Sequence, residues 1–164
     1  SAQTLLQTRF YRQESTLPND CDGANSKNYV YGTLSHILGK KKMLDYWCGS
    51  DKKTYVAEID GDIVGTFIIK DNFPDLGSHV ANASYMTKPN VFGQGIGRAM
   101  AEFSLDEAKR LGYKAMQFNM VVKSNQIAVS LWQKLGFEIK AEIPEAFNHK
   151  EQGYTNAYIM WKSL

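Results

Sequence analysis

The chain has 164 residues, 43% apolar and 12% aromatic, enough for a single domain with a substantial core. A formal net charge of +2 argues against nucleic acid or an anionic membrane as partner, because either needs a dense basic surface. No apolar run approaches the roughly 18 residues that span a bilayer, no signal peptide is expected at the start, and Cys21 and Cys48 have neither metal-ligand spacing nor a CxxC arrangement, so a reducing cytosolic setting and no metal are expected.

Thr8-Arg9-Phe10-Tyr11-Arg12 alternates loosely and predicts a first strand. Glu14 to Asn25, rich in Pro, Asn, Asp and Gly, reads as loop. Ser26 to Trp47 turns helical, and Gly39 before Lys40-Lys41-Lys42 divides it into two helices with the lysines as a solvated end. Thr54–Ile59 and Ile63–Ile69 are β-rich runs flanking Asp60-Gly61-Asp62, a strong hairpin signal. Asn72 to Ser78 is a turn, and His79 to Thr87 a further strand ended by Pro89.

A helix is then predicted to Leu111, with Ile96, Ala99, Met100, Phe103 and Leu111 near one face and Glu107 as a misfit, stopped by Gly112. Ala115 to Val122 is a strand. Ser124 or Asn125 caps the next helix, whose core stripe is expected to be Ile127, Ala128, Leu131 and Leu135, with Gly136 ending it. Phe137–Ile143 and Tyr154–Trp161 close the chain as strands, joined by a loop holding Pro144, His149 and Gly153. The layout is α+β: a mixed, mostly antiparallel sheet of about seven strands with about four helices.

Val91-Phe92-Gly93-Gln94-Gly95-Ile96-Gly97-Arg98 carries the chemistry. A glycine-rich turn running into a helix aims several N–H groups outward at the positive end of the helix dipole, an anion site suited to phosphate. The dinucleotide fingerprint fails, since its third glycine would fall at Arg98 or Met100. The P-loop fails, since Gly97 is followed by Arg98 and Ala99 rather than Lys and Ser/Thr.

Phe92-Gly93-Gln94-Gly95-Ile96-Gly97 resembles the Arg/Gln-x-x-Gly-x-Gly/Ala loop of the GNAT superfamily of N-acetyltransferases, with Phe92 in place of Arg or Gln. Asn125 followed by Ala128, Leu131-Trp132, Lys134 and Gly136-Phe137 resembles that family's Asn-x-x-Ala-x-x-Leu-Tyr-x-Lys-x-Gly-Phe signature, with Trp132 in place of Tyr. The predicted order of elements is similar to the family's over nearly the whole chain.

The resemblance implies acetyl-CoA as cosubstrate and direct transfer of its acetyl group to a primary amine, on a small molecule or on a protein or peptide. It also leaves a homodimer open. By position, Tyr85, Met86 and Thr87 would offer main-chain groups to the pantetheine arm and acetyl carbonyl. Gly93, Gln94, Gly95, Ile96, Gly97 and Arg98 would hold the pyrophosphate, Asn125 would bond the arm, and Trp132 would lie where the family's acid stands, near the sulfur. Indole N–H is too weak an acid to protonate a thiolate.

The general base is open. The family often places a Glu on one of two splayed strands, but Asn119 and Met120 stand there instead. His79 is the titratable residue nearest neutrality in its strand, and Glu58 on the preceding hairpin is a second candidate. His149 lies in the closing loop, which would border the acceptor pocket, and Tyr154 and Tyr158 read as core. The missing Tyr and Glu also motivate an alternative, a non-catalytic acyl-CoA-binding or regulatory module.

Overall fold

Asp60 and Gly61 take φ of 51° and 87°, the two left-handed positions of a type I′ turn, whose twist matches the strands that it joins. The computed structural model describes residues 9–12, 47, 49–88, 91 and 93–164. In it this turn joins β2 (Lys53–Ile59) to β3 (Asp62–Asp71), paired antiparallel from Ile59–Asp62 to Lys53–Ile69 with a bulge at Ala57/Glu58. The two helices expected between Ser26 and Trp47 lie outside the described residues, except for Trp47, as do Cys21, Cys48 and Phe92. Among the described residues there are seven strands and two α-helices, and no helix long and apolar enough to cross a membrane.

The chain divides into two compact units: Ser1–Lys70 with Ser84–Ser104, and Asp71–Ala83 with Leu105–Leu164. In the first, the strand order is β1 (Arg9–Arg12), β2, β3, then the end of β4 (Val80–Thr87). Thr54 to Ala57 are all buried, so both faces of β2 are covered there. An aromatic cluster forms the core. Tyr55 stacks on Phe67 at 4.9 Å, Phe10 stacks on Phe103 at 4.5 Å, and Phe103 meets Phe67 edge-on at 6.0 Å.

Phe103 belongs to α1 (Ile96–Arg110), whose first half packs Ile96, Ala99, Met100 and Ser104 inward. Gly65 on β3 makes that approach feasible. A Cβ there would stand 2.7 Å from Met100 Sδ and 3.1 Å from the Met86 carbonyl oxygen.

In the second unit the order is β4, β5 (Ala115–Val122), β7 (Gly153–Ser163), β6 (Glu138–His149). The β4–β5 ladder is parallel and consists of Val80–Ala115 and Ala81–Met116. β5–β7 and β6–β7 are antiparallel, so the mixed α+β layout is as expected.

Four local expectations change. Residues 144–149 are not a loop: they continue β6, with Phe147 opposite Thr155 and His149 opposite Gly153. Pro144 is tolerated because β6 is an edge strand, where a missing N–H breaks no ladder. An irregularity follows it, where Glu145 takes φ of 51° and its N–H donates to Asn156 Oδ1 at 3.0 Å.

The buried residues of α2 (Gln126–Lys134) are Val129 and Trp132; of the expected stripe Ala128, Leu131 and Leu135 are half-buried, and Ile127 is 86% exposed. Trp132 packs against Phe118 at 4.4 Å and Phe137 at 5.5 Å, and that trio recruits the helix face. Glu107 is buried as a misfit should not be, because Arg110 Nε and Nη2 grip its two oxygens at 2.7 and 2.6 Å. Tyr154 is 68% exposed rather than core.

Candidate active site

The first unit assembles the strand end, the turn and the helix start. Lys88 N–H donates to the Val64 carbonyl at 2.9 Å. Main-chain groups of an antiparallel strand alternate sides, so Met86 faces β3, while Tyr85 and Thr87 direct their N–H and C=O away from it. Two short turns follow, Val91 N–H to the Lys88 carbonyl at 3.2 Å and Gln94 N–H to the Val91 carbonyl at 3.3 Å. Gly93 and Gly95 take φ of 78° and 84°, which side chains resist and glycine accepts. The chain then enters α1, with Ala99 N–H donating to the Gly95 carbonyl at 2.9 Å.

The two helices begin differently. At α2, Asn125 Oδ1 accepts the Ala128 N–H at 3.1 Å, as the cap was expected to do. At α1 the preceding residue is Gly95, which has no side chain to cap with, and the first turn holds no acid. The first N–H groups of a helix have no acceptor inside it. Those of Ile96, Gly97 and Arg98 therefore present partial positive charge at an exposed turn, backed by the dipole.

Gly97 adds a second sign. It is helical, and a Cβ there would meet nothing within 4 Å. Among the described residues, neither backbone conformation nor packing calls for glycine at this place.

Arg98 is partly engaged. Its Nε donates to Glu102 Oε1 at 2.8 Å across one helical turn, which leaves the terminal nitrogens for an anion. Ile96, 1% exposed, anchors the turn, and Gln94 is exposed.

Sequence reasoning missed Ser104, although it falls on the Ile96–Met100 stripe. Ser104 Oγ donates to the Ala101 carbonyl at 2.7 Å and lies 2.6 Å from the Tyr85 hydroxyl. Burial pushes that hydroxyl well above the usual tyrosine range, against the opposing pull of the Ser104 bond. Tyr85 is a lasting proton donor there, not a base. Glu58, also in this unit, is half-buried at the β2 bulge, opposite Arg9 of β1 and Ile63 of β3.

The second unit holds the remaining candidates. His79 is exposed in the turn before β4, not within the strand, and its Nδ1–H donates to the Leu76 carbonyl at 3.1 Å. Asn125 spends its oxygen on the cap, so its NH₂ is the part that a ligand would meet. Trp132 is a core residue, as described above. His149 Nδ1 accepts from the N–H groups of Glu151 and Gln152 at 3.2 and 3.3 Å, closing the β6–β7 turn.

Carboxamides also join the strands where the β4–β5 ladder stops. Asn82 Nδ2 donates to the Gln117 carbonyl at 2.9 Å, Gln117 Nε2 to Asn119 Oδ1 at 2.9 Å, and Asn119 Nδ2 to Asn72 Oδ1 at 2.7 Å. Asn82 was not foreseen, and a lone Asn in a strand gives no signal of this bridging.

Three comparisons bear on this geometry. The profile of the acetyltransferase (GNAT) family matches residues 24–137. N-acetyltransferase aca1 of Schizosaccharomyces pombe is 37% identical over 98 residues, 59% of this chain; the match spans 47% of that protein, about half its length. Among solved structures, a GCN5-related N-acetyltransferase from Kribbella flavida is similar with a TM-score of 0.79 and 32% identity, over 97% of this chain and 99% of that one. The structure of yncA from Salmonella typhimurium, solved with its cofactor acetyl-CoA, has a TM-score of 0.76 at 19% identity, over 96% of this chain and 94% of that one, a likeness of fold.

Proposed function

The chain belongs to the acetyltransferase (GNAT) family, and on that premise we propose that it binds acetyl-CoA through the Gly93–Arg98 turn and transfers the acetyl group directly to a primary amine. The observation that carries this is the start of α1, where Gly95 has no side chain to cap with, the first turn holds no acid, and a Cβ on Gly97 would meet nothing within 4 Å among the described residues. A pyrophosphate supplies what that turn lacks: acceptors for the N–H groups of Ile96, Gly97 and Arg98 and negative charge at the dipole's positive end. The structure solved with acetyl-CoA in yncA supports the choice of ligand. Main-chain groups of Tyr85 and Thr87 take the pantetheine arm and the thioester carbonyl, whereas those of Met86, expected from its position to join them, face β3.

In the reaction, a neutral amine nitrogen attacks the thioester carbon. The C–N bond forms, the carbonyl oxygen becomes an oxyanion, and a main-chain N–H stabilises it. The C–S bond then breaks, CoA departs as thiolate and the nitrogen loses its proton. Trp132 takes no part in that step, since it is core and a poor acid, and a thiolate with an ordinary thiol pKa near 8.5 leaves without assistance. Holding the amine in line supplies much of the rate. Glu58 remains the proposed base, and His79, in its exposed turn, does not. Cys21 and Cys48, with neither a CxxC arrangement nor metal-ligand spacing, support a reducing, cytosolic setting.

The test is calorimetric titration with CoA, followed by thiol release from acetyl-CoA with a panel of polyamines, amino acids and peptides. Saturable CoA binding and turnover with at least one amine are expected. Binding without turnover across the panel would favour the acyl-CoA-binding module, and absence of CoA binding would overturn both.

A further inference from the structure

Resting on the reading of the Gly93–Arg98 turn as the pyrophosphate site, we propose that Tyr85 and Ser104 are positioning residues: a tether that sets the spacing between the ligand-binding edge of β4 and the phosphate turn. Ser104 Oγ carries one proton, and the Ala101 carbonyl takes it at 2.7 Å. The 2.6 Å contact with Tyr85 must therefore run from the tyrosine O–H to Ser104 Oγ. The result is a directional relay, Tyr85 to Ser104 to Ala101, in the core of the first unit.

The two ends of this relay matter. Tyr85 is a residue of β4 whose main chain faces away from β3. Ser104 lies eight residues along α1 from Ile96, about 12 Å on a stiff helix, so fixing Ser104 fixes the turn at that helix's start. Beyond the β-ladder, the main-chain bonds between Tyr85 and Gly93 among the described residues are Lys88 to Val64, Val91 to Lys88 and, just beyond, Gln94 to Val91.

Packing alone does not explain the pair. Tyr85 sits against Phe67 at 5.8 Å, in a cluster where a phenylalanine would serve. Ser104 is 0% exposed on a stripe of Ile96, Ala99 and Met100, where alanine would serve. Burying two hydroxyls gains little over burying neither, because the bonds they make inside largely replace those lost to water. What the bond adds is a fixed distance. A ligand that must be gripped by both the strand edge and the turn is sensitive to that distance, and one gripped by the turn alone is not.

The experiment compares CoA, which reaches both, with ADP, whose pyrophosphate reaches the turn only. Tyr85→Phe is expected to weaken CoA binding about fivefold, the worth of one ordinary hydrogen bond, while the Kd for ADP stays within about twofold of the wild type. Ser104→Ala removes the oxygen that the tyrosine hydroxyl donates to and should also lower the Tm. The double variant Tyr85→Phe/Ser104→Ala should recover that Tm but not the CoA affinity, which a merely structural role would restore. Wild-type CoA affinity in Tyr85→Phe or in the double variant, or equal losses for CoA and ADP, would overturn the tether while leaving the cofactor assignment in place. A wild-type protein that binds no CoA would overturn the cofactor assignment, and the tether with it.

Discussion

Replacing Gly97 by alanine should move stability and cofactor affinity in opposite directions. In the cofactor-free protein the new Cβ meets nothing within 4 Å, and the backbone there is already helical. Alanine should therefore stabilise the fold by about 0.5–1 kcal/mol through helix propensity and a less flexible unfolded chain. For a chain of this length that is a rise in Tm of about 1–4 °C. The open space is where the pyrophosphate is proposed to lie, so the same methyl should push it off the N–H groups. A misfit of about 1–3 kcal/mol, typical of an added methyl in a filled site, corresponds to roughly five- to 150-fold weaker CoA binding.

Gly93→Ala is the control. It also has open space, but its φ of 78° makes a Cβ strained, so its Tm should fall. Scanning calorimetry without cofactor and titration calorimetry with CoA read the two effects separately. If Gly97→Ala bound CoA with wild-type Kd, the first turn of α1 would not be the phosphate cradle.

Gly95→Asp should weaken CoA binding by more than tenfold by setting a carboxylate at the mouth of the helix, whereas Arg98→Ala should cost only a few-fold, since it leaves the N–H cradle and removes an exposed pair with Glu102 worth about 0.3–0.5 kcal/mol; equal, negligible changes in Kd would mark the turn as purely structural. Trp132→Tyr should lower the Tm by about 4–8 °C, from a loss of about 2 kcal/mol in the Phe118–Trp132–Phe137 trio, with CoA affinity unchanged; an unaltered Tm with raised turnover would return this position to the chemistry. Hydrogen bonds from Asn156 and then Lys123 hold the Glu142 carboxyl below its ordinary value of 4.5. A depressed carboxylate pKa stabilises the fold above the unfolded value and loses that contribution as the pH falls through the folded one, so the Tm gap between wild type and Glu142→Gln should be present near neutral pH and shrink as the pH falls below 4.5; a gap independent of pH would show that the carboxylate's charge is not what matters.

Local signals in the sequence were sufficient wherever a backbone requirement singles out a residue type. Asp60-Gly61 specifies its hairpin because few residues accept two successive positive φ angles, and Gly136, with φ of 89°, ends α2 for the same reason. Asn125 is legible as a cap because its oxygen lies three residues from an orphan N–H. The turn before α1 is legible because Gly93 and Gly95 take φ of 78° and 84°, which glycine accepts and side chains resist.

Tertiary structure decided what depends on neighbours distant in sequence. Which face of α2 is buried follows from Phe118 and Phe137, not from the helix's own stripe, so Ile127 is outside and Trp132 inside. Pro144 interrupts a strand only if both its edges are paired, and strand order, not composition, puts β6 at the edge. Glu107 breaks a pattern until Arg110 is seen to neutralise it, and His79 joins a strand by periodicity until the strand is seen to begin at Val80. Ser104 has no local signature, because a buried serine gains its meaning from the hydroxyl opposite, 19 residues away along the chain. Propensity and turn chemistry act within a few residues, whereas burial and polar pairing are settled by whatever the fold brings alongside.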